Sequence, residues 1–126
     1  MAYRIAVVDD EPTMLTQTCR AIREQAEKHH FSITLFPFSS AIDLEEYDYD
    51  AYFLDIDMPG MDGIQLAHCV REIGSMNSII FVSNVEEKVF EALRAEPLRF
   101  IRKTRIAEEM PEALSVYSKP FQTKKG

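Results

Sequence analysis

Asp9 and Asp10 close one apolar run, Ile5 to Val8, and Asp55 closes another, Ala51 to Leu54. Four residues are enough for a buried parallel strand, so all three carboxylates should fall at strand C-terminal ends. In an open α/β sheet that edge is where ligands bind. Three carboxylates meeting in a semi-enclosed cleft cannot all stay ionised unless something cationic joins them. A hard divalent ion, Mg2+ by preference, answers that need with oxygen ligands alone. Two further residues stand where strands should end: Ser83 closes a third run, and Lys103 follows a fourth. A nucleophilic carboxylate, a hydroxyl and an ammonium at one edge are the parts needed to accept and hold a phosphoryl group.

The elements that must position these groups alternate along the chain, strand pattern with helix pattern, as in a parallel sheet covered on both faces. Strands are expected at residues 4–8, 32–36, 51–55, 78–82 and 98–101. The first helix opens near Pro12, which suits a first helical turn. Leu15, Cys19, Ile22 and Ala26 follow the 3.6 period on its inner side, and Gln17, Arg20, Glu24 and Lys28 take the wet side. A short second helix is expected from an N-cap at Ser39 or Ser40 through Glu46. The third runs from Gly63 to Ile73 with Leu66, Val70 and Ile73 on one face, after the turn-rich Met58-Pro-Gly-Met-Asp-Gly63. The fourth starts at Glu86 and Glu87, with Val85, Val89, Ala92 and Leu93 as its stripe. The fifth turns Met110, Ala113, Leu114 and Tyr117 inward, with Pro111 in its first turn, since deeper placement would remove a backbone hydrogen bond.

Five parallel strands with right-handed crossovers most commonly take the flavodoxin-like, doubly wound order 2-1-3-4-5. That order makes the first and third strands neighbours and brings Asp9, Asp10 and Asp55 together, with Ser83 and Lys103 beside them.

At 126 residues the chain is expected to form one domain over 1–117. Residues 118–126, with three lysines, one proline and no periodicity, read as the start of a linker to a possible C-terminal effector domain outside this sequence. The net charge of -7 opposes direct contact with nucleic acid. The apolar run near the N-terminus is too short for a signal peptide, and no stretch approaches a membrane span, so a cytoplasmic protein is expected. Cys19 and Cys69 fit no metal spacing and read as small apolar residues kept reduced, on opposite faces of the sheet. His29, His30 and His68 lack ligand partners at suitable spacing.

The segments Val7-Val-Asp-Asp-Glu-Pro12, Leu54-Asp-Ile-Asp-Met-Pro-Gly-Met-Asp-Gly63, Phe81-Val-Ser83 and Phe100-Ile-Arg-Lys103 together resemble the receiver domain of two-component response regulators, over about residues 4 to 117. The resemblance implies that Asp55 accepts a phosphoryl group from a sensor histidine kinase. It also implies that Asp9, Asp10, Asp55 and the backbone carbonyl of Asp57 hold Mg2+. Ser83 and Lys103 would bind the phosphoryl oxygens, and Phe100 would turn inward to remodel the surface of helix four, strand five and helix five. Residues 89–103 are most similar to receivers attached to LytTR-type DNA-binding domains, which implies an output in transcription, with DNA reached only through that further domain.

Three residues depart from the family pattern, one of them Phe100, which lacks the hydroxyl of the frequent tyrosine and so has no polar anchor in its outward state. Thr104 follows Lys103 where proline is usual, and Asn84 follows Ser83 where a small residue is common. Mixed charge on helix four, strand five and the loop after them (Arg94, Arg99, Arg102, Lys103 and Arg105 among Glu91, Glu96, Glu108 and Glu109) suits a two-fold contact between copies. Two other functions remain open on sequence. One is a Mg2+-dependent phosphatase of the haloacid dehalogenase kind, whose Asp-x-Asp would be Asp55-Ile-Asp57. The other is a receiver-like interaction module that works without phosphorylation.

Overall fold

The computed structural model describes residues 2–73, 77–84 and 86–114. Tyr117, Val85 and the expected linker over 118–126 lie outside them. Five parallel strands, β1 (Tyr3–Val8), β2 (Ile33–Phe38), β3 (Ala51–Leu54), β4 (Ser78–Ser83) and β5 (Arg99–Arg102), form one sheet in the order β2-β1-β3-β4-β5. The three central strands are apolar and almost wholly buried, because helices cover both faces. Val8 pairs with Leu54 and Leu54 with Phe81, while Ser83 pairs with Arg102. That register lines up the strand ends that precede Asp9, Asp55, Asn84 and Lys103.

Four α-helices are described: α1 (Pro12–Lys28), α2 (Gly63–Glu72), α3 (Val89–Leu93) and α4 (106–114). On one face Cys19 and Ile22 of α1 pack with Ile5, Val7, Phe53, Ile80 and Val82 and with Ile106, Met110, Ala113 and Leu114 of α4. On the other, Leu66, Ala67 and Val70 of α2 and Ala92 of α3 pack on Ala6, Val8, Tyr52, Leu54 and Phe81. Cys19 and the α2 residue Cys69 therefore sit on opposite faces, and both are free thiols.

Several local expectations need correction. The second helix is a single 3-10 turn, Ala41–Asp43, capped by the Ser40 hydroxyl. Ala41 of that turn and Leu44 just after it are both buried, but the backbone is already extended at Leu44, so that apolar pair is seated without a longer helix. β2 runs on through Pro37, which an edge strand tolerates because its outward side needs no donor. A 3-10 turn, Glu86–Lys88, leads into α3. Its three residues per turn change the helical phase, so Ala92 and Ala95 point inward while Leu93 is 54% and Phe90 84% exposed. Ile73 caps α2 from outside its last turn and is exposed rather than packed. Pro111 lies in the second turn of α4, because the helix already starts at the buried Ile106. The missing hydrogen bond is tolerated where Ile106, Met110 and Leu114 seat the helix on the sheet.

Two polar ties fix the far end of the sheet. The Arg71 guanidinium donates to the carbonyls of Ala95 (2.9 Å), Glu96 (3.0 Å) and Asn77 (2.6 Å), joining the end of α2 to the segments that flank α3 and β4. The Tyr49 N–H donates to the hydroxyl of the fully buried Tyr52 at 3.2 Å. Tyr52→Phe leaves that N–H without a partner and should lower stability by about 1 kcal/mol, read as a shift of the urea midpoint at unchanged slope.

Candidate functional site

Asp9 and Asp55 are carried one residue past the ends of β1 and β3, and they are 3% and 2% exposed. Backbone hydrogen bonds hold them there: Asp9 N–H to Phe38 O at 3.0 Å and Asp55 N–H to Val8 O at 2.9 Å. The Asp9 Oδ1 atom accepts from the Glu11 N–H at 2.9 Å, which orients its carboxylate over the start of α1. Asp10 is less buried, and one carboxylate oxygen from each of Asp9, Asp10 and Asp55 lies within 4.8 Å of the others.

Lys103, one residue past β5, reaches across the end of β4 to this cluster. Its Nζ lies 3.1 Å from Asp9 Oδ2, 3.2 Å from Asp55 Oδ1 and 3.3 Å from Glu11 Oε1. Its side chain is only 8% exposed. Although Asp55 Oδ1 is in ion-pair range of the ammonium, neither Asp55 oxygen accepts an aligned hydrogen bond among the described residues. A buried carboxylate with both oxygens in that state is unusual and can take a further partner, such as a cation. The donor set of three hard carboxylate oxygens fits a divalent cation of the Mg2+ kind.

The protonation behaviour follows from the crowding. Burial pushes the Asp55 carboxyl up to about 7, the Asp9 charge adds to this, and Lys103 only partly opposes it. Burial also raises Asp9, against the pull of the Glu11 N–H and Lys103. Burial acts to lower the Lys103 ammonium, but Asp55 and Asp9 more than offset it and hold it above its ordinary value.

The loop after β3 shapes the cleft through backbone contacts. Met58 and Gly63 N–H groups both donate to Ile56 O, at 3.1 and 3.0 Å, which fixes the peptide before Asp57. Gly63 opens α2 hard against the phosphoacceptor candidate: a Cβ there would stand 2.0 Å from Asp55 O. Asp62 caps the helix by accepting from Gln65 N–H at 2.8 Å, while the Gln65 side chain accepts from Asp62 N–H at 2.9 Å. This reciprocal box was readable in the sequence as Asp-x-x-Gln before an apolar run. The carboxylate of Asp57 is exposed and outside the acidic cluster. A phosphatase using Asp-x-Asp would need it beside the nucleophile.

Ser83 is buried at the end of β4. Phe100 of β5 is half-buried, its ring 6.3 Å from that of Phe81, and it lines a hollow of about 400 Å³ with Glu86, Val89, Arg102 and Glu109. Glu109 closes that hollow from α4, accepting from the Arg102 N–H at 2.8 Å and from its guanidinium. Asn84, on the rim next to Ser83, accepts the Thr104 N–H on its side-chain oxygen at 3.2 Å. No spacing rule pointed to that contact.

Two outcomes test this site without any assumption about its role. Gly63→Ala sets a methyl against backbone rather than a flexible side chain, so it should cost at least about 2 kcal/mol in urea unfolding and weaken divalent-ion binding. The second concerns pH. In chelator, folded Asp55 keeps its proton up to pH about 7 whereas the unfolded chain loses it near pH 4, so the parent should lose stability as pH rises through that window and then level off. Asp55→Asn should exceed the parent by on the order of 2–4 kcal/mol at pH 8, with the gain vanishing near pH 4. Added Mg2+ should stabilise the parent at pH 8 more than the variant.

Comparison with known proteins agrees with this arrangement. The family model for the response regulator receiver domain matches residues 5–115. The chain is 30% identical to the chemotaxis protein CheY of Bacillus subtilis, over 91% of this chain and 97% of that one. It is 27% identical to the positive alginate biosynthesis regulatory protein of Pseudomonas aeruginosa, over 92% of this chain and 47% of that one. It is 26% identical to the transcriptional regulatory protein YpdB of Escherichia coli, over 79% and 41%. The chain thus spans less than half the length of these two regulators. Among solved structures, the BeF3-activated DrrB receiver domain aligns with a TM-score of 0.71 at 22% identity, covering 98% of this chain and 99% of that one. The response regulatory domain of protein mrkE from Klebsiella pneumoniae aligns at 0.72 and 22%, covering 92% and 98%. With five parallel strands in receiver order and a buried acidic cleft at their carboxyl ends, the chain belongs to the response regulator receiver domain family.

Proposed function

We propose that the chain is a phosphorylation-controlled signalling switch, with Asp55 as the phosphoacceptor for a sensor histidine kinase. One observation carries the reading: Asp55 is buried, both its carboxylate oxygens are without aligned hydrogen bonds among the described residues, and it stands between one ammonium and two further carboxylates. An oxygen of Asp55 forms the bond to phosphorus as the phosphorus–nitrogen bond of the kinase phosphohistidine breaks. Asp9, Asp10, Asp55 and the Asp57 carbonyl would hold Mg2+, which supplies charge stabilisation for the transferring group. Lys103, already 3.2 Å from Asp55, offsets charge on the phosphoryl oxygens, and Ser83 donates its hydroxyl to them.

Transfer replaces the single charge of the Asp55 carboxylate with the nearly two of an acyl phosphate, in a cleft that is already acidic, so the arrangement of Lys103 and Ser83 must change. In this reading Ser83 moves toward Asp55, and Phe100 turns into the space near β4. The surface of α3, β5 and α4 follows as a two-state element. That face carries the exposed apolar side chains Phe90, Leu93 and Leu98, which suit contact with a second copy. Its charges contribute less than their number suggests: Arg102 and Arg105 are paired within the chain to Glu108 and Glu109, and the Lys103 ammonium is buried. The output we favour is control of transcription through a LytTR-type DNA-binding domain. The resemblance of residues 89–103 supports it, as do the two longer relatives named as regulators.

Acetyl phosphate with Mg2+ should label the parent chain, and Asp55→Asn should abolish labelling while leaving the circular dichroism spectrum unchanged. Undiminished labelling would place the acceptor elsewhere. Beryllofluoride should shift sedimentation toward a dimer, with Phe90→Ser reducing the shift and high salt leaving most of it, since the contact is mainly apolar.

A further inference from the structure

At the rim of the cleft, Asn84 Oδ1 accepts the Thr104 N–H at 3.2 Å across a sequence separation of 20 residues. Each partner directly follows a group of the proposed site: Asn84 follows Ser83, and Thr104 follows Lys103. The backbone ladder between β4 and β5 ends at the Ser83–Arg102 pair, so the Asn84 side chain carries the tie between the two strands past the last rung. The bond exists because residue 104 has an N–H to give, which an imino acid there would lack. Asn84 is tied on its other side as well, since its carbonyl accepts the Glu86 N–H at 3.0 Å in the turn that leads into α3.

Sheet order gives this bond a direction. β4 lies between β3 and β5, so Asp55 is on one side of Ser83 and Thr104 on the other. Drawing the Ser83 loop toward a phosphoryl group on Asp55 draws Asn84 away from Thr104. We infer that Asn84 is a positioning residue whose hydrogen bond to the Thr104 N–H latches the Ser83 loop to the end of β5 and holds the resting arrangement against the switch. The inference rests on the reading of Asp55 as phosphoacceptor. It places a restraint on the same element that Phe100 and α3 would follow, and locates it outside the groups that touch phosphate.

The test is a beryllofluoride titration of the full chain in Mg2+, followed by amide chemical shifts of β4, α3 and β5, with exchange of the Thr104 amide measured in the unliganded protein. Asn84→Ala should lower the half-saturating beryllofluoride concentration about 2- to 5-fold, the loss of one modest hydrogen bond, and speed Thr104 exchange. Asn84→Asp, which keeps an acceptor oxygen, should retain the slow exchange. In a Thr104→Pro background there is no N–H to accept from, so adding Asn84→Ala should change the titration no further, which separates a latch from simple widening of the cleft mouth. An unaltered half-saturation in Asn84→Ala, or an equal shift in the Thr104→Pro background, overturns the latch and leaves the phosphoacceptor reading standing. If Thr104→Pro does not fold, unprotected Thr104 exchange in the parent overturns the latch by itself. A parent chain with no beryllofluoride response overturns the phosphoacceptor reading, and the latch with it.

Discussion

One ammonium shared among buried carboxylates is the constraint on which the rest of this structure depends. Lys103 can satisfy Asp9 and Asp55 only if its backbone is anchored two strands from Asp55, so that the side chain spans the end of β4 to reach them. That requires the register in which Leu54 pairs with Phe81 and Ser83 with Arg102. The burial that makes the cluster electrostatically tense also makes it responsive. Two carboxylates and one cation leave a net negative charge in a place that water barely reaches, so the cleft gains from a divalent cation, a proton or any rearrangement that spreads the charge.

The covering helices follow from the same demand. Gly63 lets α2 begin in contact with the Asp55 peptide, and α1 begins just past the acidic pair with the Glu11 N–H turned to Asp9. Each helix therefore seals an apolar face of the sheet and also meets the site with its first turn, α1 at the Asp9 carboxylate and α2 at the Asp55 backbone. Stability and site geometry share these contacts, so a single methyl at position 63 should reach both.

Much of this was legible in the sequence because it depends on short, one-dimensional signals. Apolar runs that stop at Asp9 and Asp55 mark strand ends, and the alternation of runs with 3.6-period segments marks a parallel sheet, so strand order and the acidic cleft followed. What was not legible depends on how segments meet. The phase of α3 is set by a 3-10 turn that propensities do not announce, and this turned Leu93 outward. The second helix had a good cap at Ser40, but the chain becomes extended at the buried Leu44 after a single 3-10 turn. The Arg71 clamp and the Asn84–Thr104 bond join residues 20 or more apart whose pairing no local pattern encodes. The second-turn position of Pro111 is a case in which seating Ile106 and Met110 on the sheet outweighs a local rule.

Pro37 in the outer strand β2 has a consequence for how copies of this chain can meet. An open sheet edge is a template: its free donors and acceptors invite another strand to add on, in growth that has no natural end. β2 breaks its row of donors at Pro37, and at the opposite edge β5 is only four residues long and bears Arg99 and Arg102. Neither border is suited to recruiting a foreign strand. Association is thereby steered to side-chain surfaces, where two-fold contacts close on themselves and an assembly stops at a defined size.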